Sequence, residues 1–292
     1  MLTREKHLLL VAVLLLFALP LQAIDAGPEL AAAPSRYASF NGIRVHYKLL
    51  GRGRNTLVFV HGLGGEMGVW REQVSYFAPR ARLLVVDLPG YGGSDKPDNV
   101  KYTMKFFARA VRAAMDDAGV NRAILVGHSM GTPVIRELDR LYPTRVRGLV
   151  AVEGALVMNM PPEAVEKVIA PMRGNEYQKN LAAMFDAMME KASPALREDL
   201  RNAATRTPQQ VIVSSMEGMY DPAIWKSDRI TIPLLVVNAA SPFWSAKYVE
   251  AVRAMARDLR YVTVDDADHF LMLEKPQALN EAIASWMKAK GW

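Results

Sequence analysis

The 292-residue sequence contains no cysteine. That excludes disulfide staples and lipid attachment at a cysteine, and an exported chain without thiols avoids mispairing in an oxidising compartment. Collagen-like, low-complexity and disordered compositions are also missing, as is any convincing internal repeat. The formal net charge is +6, yet there is no dense basic stripe with interleaved aromatics, so nucleic acid is not an expected partner. The basic residues are dispersed. A mild concentration at Arg136, Arg140, Arg145 and Arg147 reads as a solvated helix face and the turn after it.

What is present suits one large globular domain with an inserted subdomain, since 51% of residues are hydrophobic and 23% charged. Arg4 and Lys6 precede the apolar run LLLVAVLLLFALP, and a polar stretch with alanines follows. This pattern predicts a bacterial-style secretory signal peptide over residues 1–26, with cleavage after Ala23 or Ala26. The run is short for a membrane span, so no stable membrane insertion is expected once the signal is removed; an uncleaved membrane anchor is the alternative. The expected location is the periplasm or the exterior. Residues 27–36 are Ala/Pro-rich and read as a linker.

The mature chain then alternates between strand and helix signals. RYASFNGIRVHYKLLG alternates around Asn41-Gly42, which predicts a hairpin. NTLVFVHG, ARLLVVDLPG, RAILVG and VRGLVAVEGA read as strands. YTMKFFARAVRAAMDDAG and MGTPVIRELDRLYP have helical periodicity. Alternation breaks over residues 156–225, which read as a helical insertion containing one short strand, QQVIVSS. It resumes with PLLVVNAA, SAKYVEAVRAMARDL, RYVTVDDADH and PQALNEAIASWMKAKG. Repeated βα units predict a mostly parallel, doubly wound α/β sheet over 37–155 and 226–292.

Gly127-His128-Ser129-Met130-Gly131 fits the nucleophile elbow G-x-S-x-G, between a strand and a helix as that motif requires. The glycines let the chain turn sharply and lift the serine hydroxyl above the sheet. A serine hydroxyl needs a base, a group that orients the base, and donors for the oxyanion it creates.

The chain from Tyr37 onward resembles the α/β-hydrolase family, specifically its capped serine hydrolases. HGLGG at 61–65, DLPGYGGSD at 87–95 and DADHF at 266–270 carry the resemblance together with the elbow. It implies that Ser129 is the nucleophile and His269 the base. It makes His61 structural, leaves His46 as a surface or strand residue, and points His128 away from the moving proton. The oxyanion donors it implies are the backbone N–H groups of Leu63 and Met130. The acid departs from the pattern: relatives carry an aspartate after the penultimate strand, where LLVVNAASPFW has Ser241. Some relatives place the acid one strand earlier, and Glu153 stands there. Glu153 is preferred. Asp265, Asp266, Asp268 and a dyad assisted by Asn238 or Ser241 remain alternatives.

The expected reaction is acyl transfer to water without a metal or organic cofactor. The aspartate nucleophile of dehalogenases and epoxide hydrolases is absent. Methionines of the insertion, including Met158, Met184, Met188, Met189, Met216 and Met219, either line an adaptable apolar pocket or pack the insertion on the core. Phe243 and Trp244 either reach the same cavity or pack. The expected partner is a small or medium apolar ester. Lactonase, perhydrolase and carbon–carbon hydrolase chemistry, and a fold kept for binding alone, stay open.

Overall fold

The computed structural model describes residues 24–292. The expected signal peptide lies outside the described residues up to position 23. The expected linker takes another form. Gly27–Ala32 is a helix (α1), and the first strand β1 already starts at Ser35 and runs to Phe40. Leu30 is why: its side chain is 1% exposed, and the Lys48 ammonium donates to its carbonyl at 2.6 Å. One buried leucine turns an Ala/Pro-rich stretch into part of the body.

β1 pairs antiparallel with β2 (Ile43–Gly51) through a two-residue turn, with Asn41 and Gly42 both at positive φ. That is the Asn-Gly hairpin the sequence predicts. Next come β3 (Thr56–Val60), α2 (Arg71–Phe77), β4 (Arg82–Val86), α3 (Met104–Asp117), β5 (Ala123–His128), α4 (Gly131–Leu141) and β6 (Val146–Val152). Four helices follow: α5 (Pro162–Arg173), α6 (Tyr177–Ala187), α7 (Pro194–Thr205) and α8 (Gln209–Tyr220). The chain closes with β7 (Leu234–Ala239), α9 (Ala246–Met255), β8 (Leu259–Val264), the short α10 (Leu271–Glu274) and α11 (Pro276–Ala289).

The eight strands form one sheet in the order β1-β2-β4-β3-β5-β6-β7-β8. Both pairings of β2 are antiparallel and all later ones are parallel. Every residue of β5 is buried, as expected of a central parallel strand covered on both faces. The strand order reverses around β3, so the carboxyl ends of β3, β5 and β6 meet at one edge, where α/β sheets place ligands.

The insertion is helical, as the pattern predicts, but QQVIVSS is part of α8 and not a strand. Val211 and Ile212 face the core while Gln209 binds the carbonyls of Met172 and Gly174, so tertiary packing overrides their β-branched preference. Met189 and Met216 are fully packed, whereas Met158, Met184, Met188 and Met219 are partly buried.

The arginine group on α4 is also not a solvated face. Arg136 is 4% exposed and pairs with Asp139 and, at 2.7 Å, with Asp228. Arg140 reaches Asp228 at 2.6 Å, and Arg145 reaches Asp116 at 2.7 Å. The Arg147 guanidinium lies over the Trp292 ring. These arginines tie α4, the turn after it and the start of β6 to their neighbours. Among the described residues no helix is long and apolar enough to cross a membrane.

Candidate active site

Ser129 sits between β5 and α4 with φ +52°, a left-handed backbone rare for a non-glycine residue. The flanking glycines make this turn possible. A Cβ on Gly127 would collide with the carbonyl of Gly131, and a Cβ on Gly131 with that of Val60. The turn is pinned by Ser129 N–H donating to Val152 and by Thr132 N–H donating to Ser129, at 3.0 and 2.9 Å.

His269 lies in the loop between β8 and α10. Its Nε2 is 2.8 Å from the Ser129 hydroxyl, and its Nδ1 is 3.3 Å from Glu153 Oε2. Glu153 follows β6 directly and also has positive φ, +47°. Its backbone N–H continues the ladder to Val237 at 3.0 Å, so the parallel β6–β7 pairing fixes where the carboxylate starts. The other oxygen, Oε1, accepts from Ala239 N–H and, at 2.9 Å, from the Trp244 indole. Glu153 is 6% exposed. Burying carboxylate oxygens without such donors would be costly.

The other acid candidates point elsewhere. Asp266 pairs with Lys275 at 2.9 Å, and Asp268 accepts from Lys191 N–H. Asp265 is exposed. Asn238 gives its amide to the Tyr261 hydroxyl, and Ser241 accepts from Phe243 N–H. Trp244 reaches the carboxylate itself, a contact that no spacing rule in the sequence signals.

The HGLGG loop lies directly against the serine. A Cβ on Gly62 would come within 2.8 Å of Ser129 Cβ. Among the described residues, the N–H groups of Leu63 and Met130 donate to no main-chain or side-chain acceptor. His61 holds the loop: Nδ1 donates to Gly62 at 2.8 Å, and Nε2 accepts from Leu88 N–H at 3.0 Å. His128 turns away from Ser129 and donates from Nε2 to the His269 carbonyl at 2.8 Å. Burial holds His61 below the ordinary imidazole range and His128 well below it. His46 is more buried than a hairpin surface position implies. Its Nδ1 lies 2.7 Å from Asp87, whose other oxygen takes Met67 N–H. The pair anchors the DLPGYGGSD turn to β2.

The helical insertion covers this edge. Phe185 of α6 packs on Phe270 with ring centroids 5.9 Å apart, and it closes over Gly64 together with Ala204. The Met188 carbonyl accepts from His269 N–H at 3.3 Å. The insertion thus packs an apolar ring beside the HGLGG loop and beside the residue that follows His269. Among the described residues no group of three or more histidine or acidic side chains is placed to hold a metal ion.

The sequence model of the alpha/beta hydrolase family matches residues 57–282. A 2-hydroxy-6-oxononadienedioate/2-hydroxy-6-oxononatrienedioate hydrolase of Paraburkholderia phymatum is 32% identical over 187 residues, covering 60% of this chain and 65% of that protein. The acetyltransferase component of the acetoin cleaving system of Cupriavidus necator is 40% identical over 124 residues, covering 42% of this chain and 33% of that one. The chain thus spans less than two thirds of the length of these relatives. A solved N-acyl homoserine lactone degrading enzyme superposes with TM-score 0.73 at 25% identity, covering 86% of this chain and 99% of that one. With the family match extending from β3 into α11, this chain belongs to the alpha/beta hydrolase family.

Proposed function

We propose that the protein is an exported serine hydrolase that cleaves small or medium apolar carboxylic esters through an acyl-enzyme on Ser129. One observation carries this reading: the unbroken line from Ser129 Oγ to His269 Nε2, and from His269 Nδ1 to Glu153. In this reading Ser129 attacks the carbonyl while His269 takes its proton. Glu153 fixes the imidazole orientation and stabilises the imidazolium. The N–H groups of Leu63 and Met130 receive the oxyanion. His269 then protonates the leaving alcohol, and water releases the acid by the reverse route.

The apolar preference is supported by Phe185 of the insertion, which packs on Phe270 and against Gly64 of the HGLGG loop. A second reading, hydrolysis of a lactone or of a carbon–carbon bond next to a carbonyl, is favoured by what the Paraburkholderia relative and the lactone-degrading structure act on. It uses the same residues.

The test is turnover of p-nitrophenyl esters of increasing acyl length, with Ser129→Ala as control and a fluorophosphonate probe alongside. Turnover and labelling that both vanish in Ser129→Ala support the esterase. Labelling without ester turnover favours the second reading. No labelling of Ser129 would leave a fold kept for binding.

A further inference from the structure

Ile24 is packed as a core residue although it precedes the first helix. Its side chain is 2% exposed. Its carbonyl and side chain lie so close to Gly68 that a Cβ there would come within 3.0–3.1 Å of them. Its N–H donates to Glu66 Oε1 at 2.6 Å. The residues after it are held too. The Arg71 guanidinium donates to the Asp25 carbonyl at 3.3 Å, and Ser75 donates to Glu29.

Glu66 follows the HGLGG loop directly, and its side chain is 13% exposed. Burial pushes its carboxyl above the usual carboxylate range, and neighbouring Asp87 pushes the same way. Arg206, at the end of α7, approaches both oxygens at 3.3 Å. Glu66 and Asp87 therefore share a small region with Arg206 and Lys96, and a charged donor at Ile24 would add to the attraction on Glu66.

We propose that the chain is cut between Ala23 and Ile24, and that the new α-ammonium of Ile24 forms a buried ion pair with Glu66. The cut is made by an export endopeptidase. One water adds across the Ala23–Ile24 amide, Ala23 leaves with the carboxylate, and Ile24 keeps the nitrogen and a positive charge. Sequence alone leaves Ala23 and Ala26 equivalent, each an alanine after the apolar run. The fold separates them. Cleavage after Ala26 would discard the buried Ile24 side chain and remove a donor from Glu66. Cleavage after Ala23 keeps both and replaces a neutral donor with a charged one. The ion pair then joins three parts: the mature N-terminus, the loop carrying Leu63, and α7 through Arg206.

This inference rests on the export part of the proposed function and not on its ester chemistry. The full chain, leader included, is produced in an exporting bacterial host, and the intact mass of the protein from the periplasm or medium is measured. The mass of residues 24–292 is expected. An exported chain starting at Gly27 overturns the inference alone, whereas retention of Met1 overturns export with it.

The ion pair is read by trace acetylation of the α-amine near neutral pH. We expect the Ile24 amine to react at least about tenfold more slowly in the native protein than in urea, the effect of roughly one unit of pKa elevation. Glu66→Gln, checked for folding by circular dichroism, is expected to react faster than the native wild type. Equal rates for native and urea-unfolded wild type overturn the ion pair whatever the variant does. A mature chain that starts at Ile24 but turns over no ester leaves this inference standing and removes the esterase reading.

Discussion

The Trp244 indole donates to one oxygen of Glu153 at 2.9 Å while the other oxygen faces His269 Nδ1 at 3.3 Å. The loop after β7 is where the resemblance expects an aspartate. Here that loop carries no acid at Ser241. Instead it supplies donors, Ala239 N–H and the indole, to a carboxylate that arrives from the neighbouring strand. Trp244→Phe keeps a ring against Phe243 and Tyr248 and removes only the donor. A hydrogen bond to a charged group contributes about 1.5–3 kcal/mol. We expect kcat to fall by about tenfold or more with little change in KM. A kinetic profile identical to wild type would reduce Trp244 to packing.

Glu153→Gln tests the acid itself. It keeps the shape and the backbone ladder to Val237. By analogy with loss of a triad aspartate, kcat should drop by on the order of 10³–10⁴. Asp265→Asn, Asp266→Asn and Asp268→Asn should stay near wild type, because Asp266 and Asp268 engage lysines and Asp265 is exposed. Melting temperatures recorded beside the kinetics separate lost chemistry from lost structure. Near-normal turnover in Glu153→Gln would remove this residue from the mechanism.

Gly131→Ala probes the elbow. The added methyl would collide with the Val60 carbonyl, a main-chain atom fixed in the β3–β5 ladder. Overpacking of this kind costs about 1–3 kcal/mol, and the strain falls on the turn that holds Ser129. Denaturant unfolding should show the loss, and ester turnover should fall further than stability alone explains. A variant as stable and as active as wild type would show that the turn relaxes freely.

Much of this was legible in the sequence, for physical reasons. Strands β3 and β5 are short apolar runs, and the glycines around Ser129 exist because the turn leaves no room for a Cβ. His269 is what the resemblance implies, and the fold brings it within 2.8 Å of the Ser129 hydroxyl. Glu153 needed more: Ser241 removes the usual position, the resemblance offers the end of the earlier strand, and the pairing of β6 with β7 sets that carboxylate beside His269. Other features depend on partners far along the chain. Arg136 looks like a surface residue until Asp228 packs across α4. QQVIVSS looks like a strand until Val211 and Ile212 find the core. Ile24 and Leu30 look like the end of a leader and a linker until β2 and the Glu66 region cover them.

The buried histidines give the protein an acid-side weakness. His61 has both ring nitrogens committed in the neutral form, Nδ1 as donor to Gly62 and Nε2 as acceptor from Leu88 N–H. A second proton at Nε2 would face that N–H. His128 is buried and already donates from Nε2. Burial lowers both folded-state values below the unfolded imidazole value of about 6.5. The unfolded chain therefore binds protons that the native chain refuses as pH falls below that value. Stability is full above about pH 6.5 and is lost as pH drops toward the folded-state values. Each histidine adds a slope of up to about 1.4 kcal/mol per pH unit in that window. Raised carboxyls such as Glu66 and Glu274 act in the opposite sense, so the comparison with a variant matters more than the absolute curve. Urea unfolding at pH 7.5, 6.5 and 5.5 should show a shallower fall for His128→Gln than for wild type, by about one proton. Parallel curves for the two proteins would mean that His128 takes up its proton in the folded state at little cost.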